Sequence, residues 1–175
     1  YQHETEIKLL EEEEKFDESE YVPETIDSSK IVVSGNFSDS TVFLAEDNAD
    51  MRSFVSSILG TFFKVRAFAN GKECYKAMET EWPDLVISDV KMPEMTGFEL
   101  CKNIKSDIKT SNIPVILLTA CATLEEQVQG LELGADAYLY KPFDTQHLVT
   151  RIEALLKSRM QLRERYQTDF PLKLI

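Results

Sequence analysis

The chain has 175 residues, 43% of them hydrophobic and 29% charged, which is the composition of a soluble protein with room for one core of ordinary size. It contains no apolar run near the roughly 18 residues of a membrane span, nor the apolar stretch of a secretory signal. The net charge of −12 is concentrated at the start, where residues 1–40 hold 12 acids against 3 lysines; this disfavours nucleic acid as a partner, because affinity for phosphates rests on cationic groups.

Along residues 1–39, charge blocks, Pro23 and a Ser/Gly/Asn cluster replace any sustained period, so this stretch is expected to be an acidic, largely flexible linker with a short helix around Ile7 to Phe16. The chain opens on Tyr1, not Met, as a piece of a longer protein would. From Thr41 the pattern becomes regular. "TVFLA" reads as a strand, and Met51, Phe54, Val55, Ile58 and Leu59 then fall on one helix face. "FFKVRAF" gives a second strand, and Cys74, Ala77 and Met78 mark a second helix after Asn70 and Gly71. "DLVISD" is a third strand, followed by a helix after Gly97, and Ile113 to Leu118 a fourth. Leu124, Val128 and Leu131 are expected to face inward from a fourth helix that closes at Gly134. "AYLY" is a fifth strand, and Leu148, Ile152, Leu155 and Leu156 line a fifth helix that can continue past Arg163. Alternating strands and helices imply a parallel sheet covered on both faces, with ligands at the carboxyl ends of the strands.

Those strand ends carry the informative residues. The first ends in "AEDN", placing Glu46 and Asp47 there, and the third ends on Asp89, a residue that is costly to bury and a poor strand former. Three neighbouring carboxylates repel one another unless a cation lies between them, and oxygen ligands without His or Cys suit Mg²⁺. Thr119 ends the fourth strand, and Lys141 with Pro142 follows the fifth. These groups suit phosphoryl transfer to a carboxylate, with Asp89 as nucleophile, Mg²⁺ on Asp47, Asp89 and the Lys91 carbonyl, and Thr119 and Lys141 binding phosphoryl oxygens. Each residue alone is ordinary as a cap, turn former or surface group; their joint occurrence at four strand ends carries the argument. Cys74, Cys101 and Cys121 are an odd set without a CxxC pair, as expected of reduced, mostly buried thiols.

"FLAEDN", "VISDVKMPEMTGFEL", "PVILLTA" and "GADAYLYKPF" resemble the receiver domain of two-component response regulators, in the right order and with 30 residues from Asp89 to Thr119 and 52 to Lys141. The resemblance covers about Thr41 to Lys157. It implies a flavodoxin-like (CheY-like) doubly wound α/β fold, with a five-stranded parallel sheet of order 2-1-3-4-5 and five helices. It further implies a phosphoacceptor at Asp89, an acidic metal pair at Glu46 and Asp47, and a cis peptide between Lys141 and Pro142. Thr119 and Tyr138 would form a switch that reshapes the surface of the fourth helix, fifth strand and fifth helix. Cys121 departs from the small or basic residues usual at its position, which is expected to alter the dephosphorylation rate.

The implied boundaries are 1–39 linker, 40–158 receiver domain, and 159–175 a helical extension toward an output domain. The acidic leader and the tail resemble a bacterial hybrid protein, in which a sensor kinase precedes the receiver and an AraC-type DNA-binding module follows. The alternative context is a free-standing regulator. A histidine kinase phosphodonor domain, in the same or another polypeptide, is the implied partner, together with an output domain or a homodimer contact through the fourth helix, fifth strand and fifth helix. The only histidines, His3 and His147, lack an "HExxxP" context, so the donor lies elsewhere. The expected location is the cytoplasm, in a parent protein that can be membrane-anchored, with neither DNA nor membrane contacted by this piece. The enzymatic reading is the receiver's own phosphotransfer and dephosphorylation, within a parent protein that can itself be a histidine kinase. Two other readings compete. A haloacid-dehalogenase-type phosphatase needs a second Asp two residues after the nucleophile, where Lys91 stands. An interaction module could instead keep the fold without being phosphorylated.

Overall fold

Asn48, Asn70, Thr96, Thr123 and Asp144 each accept a main-chain N–H three residues on, and each opens a helix. In the computed structural model, which describes residues 27–120 and 123–169 with side chains through Arg165, these caps punctuate a regular alternation. The elements are β1 (Thr41–Ala45), α1 (Ala49–Leu59), β2 (Lys64–Phe68), α2 (Gly71–Ala77), β3 (Leu85–Asp89), α3 (Gly97–Ser106), β4 (Val115–Thr119), α4 (Leu124–Glu132), β5 (Ala137–Tyr140) and α5 (Thr145–Asp169). All five strands are parallel, in the order β2-β1-β3-β4-β5 expected from the sequence.

The central strands β3 and β4 are buried along their whole length, as apolar runs between two helical layers must be. Val42, Leu44, Ile87, Ile116 and Leu118 point to one face and pack with Met51, Val55 and Leu59 of α1 and Leu148, Ile152 and Leu156 of α5. Phe43, Val86, Val115 and Leu117 point to the other and meet Cys74 of α2 and Leu100, Cys101 and Ile104 of α3. The strict alternation of strand side chains assigns each residue to its layer.

Two expectations change. Leu124, Val128 and Leu131 of α4 do not face inward: they are 75%, 45% and 66% exposed. The helix instead turns Gly130 to the sheet, with Glu126, Gln127 and Leu133 half-buried beside it. The Tyr138 ring fills the space beneath Gly130, where a Cβ would lie 3.0 Å from Cε2 and 3.1 Å from Cδ2. The expected linker is also not free along its last part. Ser28–Lys30 form a single 3₁₀ turn, and Ile31, Val33 and Phe37 pack against the core layer of α1 and α5. Apolar residues in a segment without periodicity hid this, since the segment has no helix or strand period to show. The helix proposed around Ile7 to Phe16 and the Cys121 position lie outside the described residues. At the other end, α5 runs unbroken from Thr145 to Asp169, across the boundary drawn at 158.

Candidate functional site

Parallel pairing brings the strand ends level. Ala45 is opposite Ser88, Asp89 opposite Leu118, and Thr119 opposite Tyr140, so Glu46, Asp89, Thr119 and Lys141 converge at one edge of the sheet. Lys141 is the centre of the cluster: its Nζ donates to Glu46 Oε2 at 3.0 Å and to Asp89 Oδ2 at 3.1 Å, and the three side chains are only 1–2% exposed. Asp47 is exposed at the rim, and one carboxylate oxygen each from Glu46, Asp47 and Asp89 lie within 4.8 Å of one another.

Local sequence explains why these groups point inward. The Glu46 N–H donates to Phe68 O of β2, continuing the β1 ladder past the strand, while Glu46 Oε1 accepts from Asn48 N–H. Arg52, on the first turn of α1, donates to the carbonyls of Glu46 and Asp47. On β3, the Ser88 hydroxyl donates to Asp89 O, and Val90 N–H continues the ladder to Leu118 O. Gly97 then closes the loop: its N–H donates to Val90 O, and a Cβ there would lie 2.1 Å from Asp89 O. Only glycine lets α3 start against the main chain of Asp89. In the same loop Glu94 holds a positive φ of 65°. Arg52 and Gly97 were not singled out as site residues from the sequence. The Thr96-Gly97 pair before a helix was visible, but the close approach to Asp89 was not.

Three carboxylates against one ammonium leave an excess of negative charge in a largely buried space. Burial, then the charge of Asp89, pushes the Glu46 carboxyl up to about 8 against the pull of Lys141. Thr119 is buried at the end of β4, and its carbonyl accepts the Lys141 main-chain N–H at 2.8 Å. The Lys141–Pro142 peptide is cis. Tyr138 lies half-buried between α4 and the sheet with its hydroxyl buried, and its ring stands 5.6 Å from that of Tyr140. Lys91 sits exposed in the β3–α3 loop. The thiols of Cys74 and Cys101 are buried on the far side of the sheet, which raises them to about 12 and about 11 and keeps them out of the chemistry.

Residues 42–153 match the sequence profile of the response regulator receiver domain. A histidine kinase P4 from Formosa agariphila is 43% identical over 127 residues, covering 73% of this chain and 9% of that protein. The transcriptional regulatory protein GltR of Pseudomonas aeruginosa is 38% identical over 118 residues, covering 67% of this chain and 49% of GltR. Among solved structures, the receiver domain of a signal transduction histidine kinase from Syntrophus aciditrophicus superposes with a TM-score of 0.65 at 34% identity, covering 68% of this chain and 91% of that one. The chemotaxis protein CheY4 of Vibrio cholerae gives a TM-score of 0.63 at 28% identity, covering 67% and 99%. The chain belongs to the response regulator receiver family of two-component signalling. It spans about half the length of the curated regulator and a small part of the curated kinase that it matches. Among the described residues, no helix is long and apolar enough to cross a membrane.

Proposed function

We propose that this domain accepts a phosphoryl group on Asp89 and uses it to change the surface formed by α4, β5 and α5. The observation that carries the reading is the buried ammonium of Lys141 bridging Asp89 and Glu46 at the ends of the strands. In the transfer, an Asp89 carboxylate oxygen forms a bond to phosphorus as the bond from phosphorus to the donor nitrogen of a kinase phosphohistidine breaks. Lys141 Nζ is positioned to move from the Asp89 carboxylate to a phosphoryl oxygen, and the Thr119 hydroxyl is suited to donate to another. In hydrolysis, a water oxygen forms a bond to phosphorus as the bond from phosphorus to the Asp89 oxygen breaks; inorganic phosphate leaves and Asp89 returns to its carboxylate, which makes the same residues responsible for removal of the signal.

The donor set fits a hard divalent cation. Its ligands are all oxygen, and three carboxylate oxygens lie within 4.8 Å of one another around a single ammonium, that of Lys141. Mg²⁺ would be held by Glu46, Asp47, Asp89 and the Lys91 carbonyl, and when bound it supplies charge neutralisation for the incoming phosphoryl oxygens. Thr119 and Tyr138 are the proposed switch, with a histidine kinase domain upstream in signalling and an output domain, or a second copy, as the reader. Similarity to a histidine kinase over 9% of that protein's length supports a hybrid context. Within it, a receiver domain over 40–158 would be flanked by a leader and by the α5 extension.

Intact mass after incubation with a small phosphodonor tests the reading, comparing the wild type with Asp89→Asn. One phosphoryl group is expected, dependent on Mg²⁺ and absent from the variant. No addition to the folded protein, or addition that persists in Asp89→Asn, overturns it.

A further inference from the structure

Glu153 is buried on α5, 5% exposed, and has no part in the site at the strand ends. Its partner is the segment ahead of β1: the N–H and hydroxyl of Ser34 both donate to Glu153 Oε2, at 3.0 and 2.5 Å. About two turns earlier on the same helix, Gln146 holds that segment by its main chain. Val32 N–H donates to Gln146 Oε1 at 2.7 Å, and Gln146 Nε2 donates back to Val32 O at 2.8 Å. This reciprocal pair is the amide-to-amide pattern of a strand ladder, made here by a side chain. Ile31 and Val33, alternating with these residues, pack with Phe37 against the core. A buried carboxylate is costly without donors, so the two Ser34 bonds and the burial of Glu153 depend on each other.

The seat is also close to the site. Gln146 lies in the first turn of α5, five residues after Lys141, whose Nζ bridges Glu46 and Asp89 and whose N–H is fixed to Thr119 O. The connection between them is short, and Asp144 caps the helix through His147 N–H. On the outer side, a groove of about 750 Å³ is walled by Val32 and Phe37 on the segment and by Met160 and Gln161 on the α5 extension. The chain arriving at the domain and the helix leaving it therefore share one face.

Segment 31–37 is thus seated on α5, and we propose that this seat links the strand-end site to the chain preceding the domain. A change in the Lys141 loop moves the first turn of α5, and with it the grip of Gln146. By linkage, release of the segment changes the affinity of the site for its ligand by the same factor. The inference rests on the phosphoacceptor reading for the identity of that ligand.

Hydrogen exchange of the full chain, with and without Mg²⁺ and the phosphoryl mimic beryllofluoride, tests it. The Val32 and Ser34 amides report the seat, and the amides of β4 and the β3–α3 loop report occupancy of the site. Exchange at Val32 and Ser34 is expected to change at least threefold on beryllofluoride binding. In Ser34→Ala/Gln146→Ala, protection of those two amides is expected to fall at least tenfold, and beryllofluoride affinity to shift by a few-fold while the site amides still respond. Site amides that respond while Val32 and Ser34 do not, or seat protection that survives the double substitution, overturn the inference alone. Site amides that never respond overturn the phosphoacceptor reading, and this inference with it.

Discussion

Along α3, Leu100, Cys101 and Ile104 are fully buried against the sheet, whereas along α4 Leu124, Val128 and Leu131 are 75%, 45% and 66% exposed. Both sets fall at spacings that put them on one side of a helix. The difference lies in what each helix brings to the sheet. Gly97 lets α3 start directly on the Asp89 main chain, so its apolar side chains reach the core layer with Val86, Val115 and Leu117. Against the sheet α4 places Gly130, beneath which the rings of Tyr138 and Phe98 already fill the space. Spacing identifies an apolar stripe; whether the stripe faces the chain's own sheet is decided by the rings and main chain beneath it.

The largest expected contrast is in stability. Ile104→Ala removes three carbons from a fully buried position and should cost roughly 2–5 kcal/mol. Leu131→Ala removes a side chain that is already mostly in water and should cost less than about 0.5 kcal/mol. Urea unfolding of both variants checks this. A Leu131→Ala cost equal to that of Ile104→Ala would break the comparison and show that the α4 face is covered in solution.

A smaller effect, still on the α3 side of the comparison, comes from the acidic cluster beside which that helix starts. Glu46 is raised to about 8 in the folded protein from an ordinary value of 4.5, so between those limits the folded state binds the proton more tightly than the unfolded chain does. The stability this contributes is complete below about pH 4.5 and is lost as pH rises toward 8. Without Mg²⁺, thermal unfolding should therefore fall by several degrees between pH 5 and 8, once ordinary titrations are accounted for with Glu46→Gln. Added Mg²⁺ competes with the proton and should raise the melting temperature more at pH 8 than at pH 6. Equal Mg²⁺ stabilisation at both pH values would show that Mg²⁺ binding does not displace a proton from Glu46.

Much of the site was legible because strand-terminal residues in a parallel sheet must meet. Asp89, Thr119 and Lys141 sit at hydrophobic run ends, and the strand order then fixes their neighbours. Arg52 and Gly97 were not legible as site residues. Both act through the main chain, Arg52 by holding two carbonyls and Gly97 by leaving room, and neither act has a side-chain pattern. The same limit explains Ile31 to Phe37: Val32 is held by its backbone and Ser34 by one carboxylate, so a segment read as linker packs on the domain. The α4 stripe was misread for the opposite reason, since its side-chain pattern is clear and only the filler beneath it is hidden.

The smallest expected change in stability is also the one that gives the exposed stripe a role. Leu124→Gln with Leu131→Gln should leave the unfolding midpoint within about 0.5 kcal/mol of the wild type, because neither side chain contributes to the core. On the proposed function, phosphoryl uptake at Asp89 should also be unchanged, since the strand-end residues lie in other elements. What should change is association. If the stripe is the surface that phosphorylation presents to a second copy or an output domain, sedimentation with Mg²⁺ and beryllofluoride should show the wild type self-associating, or binding its neighbour, at least tenfold more tightly than the variant. Scattered exposed leucines are common on folded proteins and carry no cost, so equal sedimentation of the two would assign the stripe to that ordinary background. Tyr140 on the adjacent strand, itself 44% exposed, would then remain the candidate for the reading surface, and α4 would serve only as the roof over Tyr138.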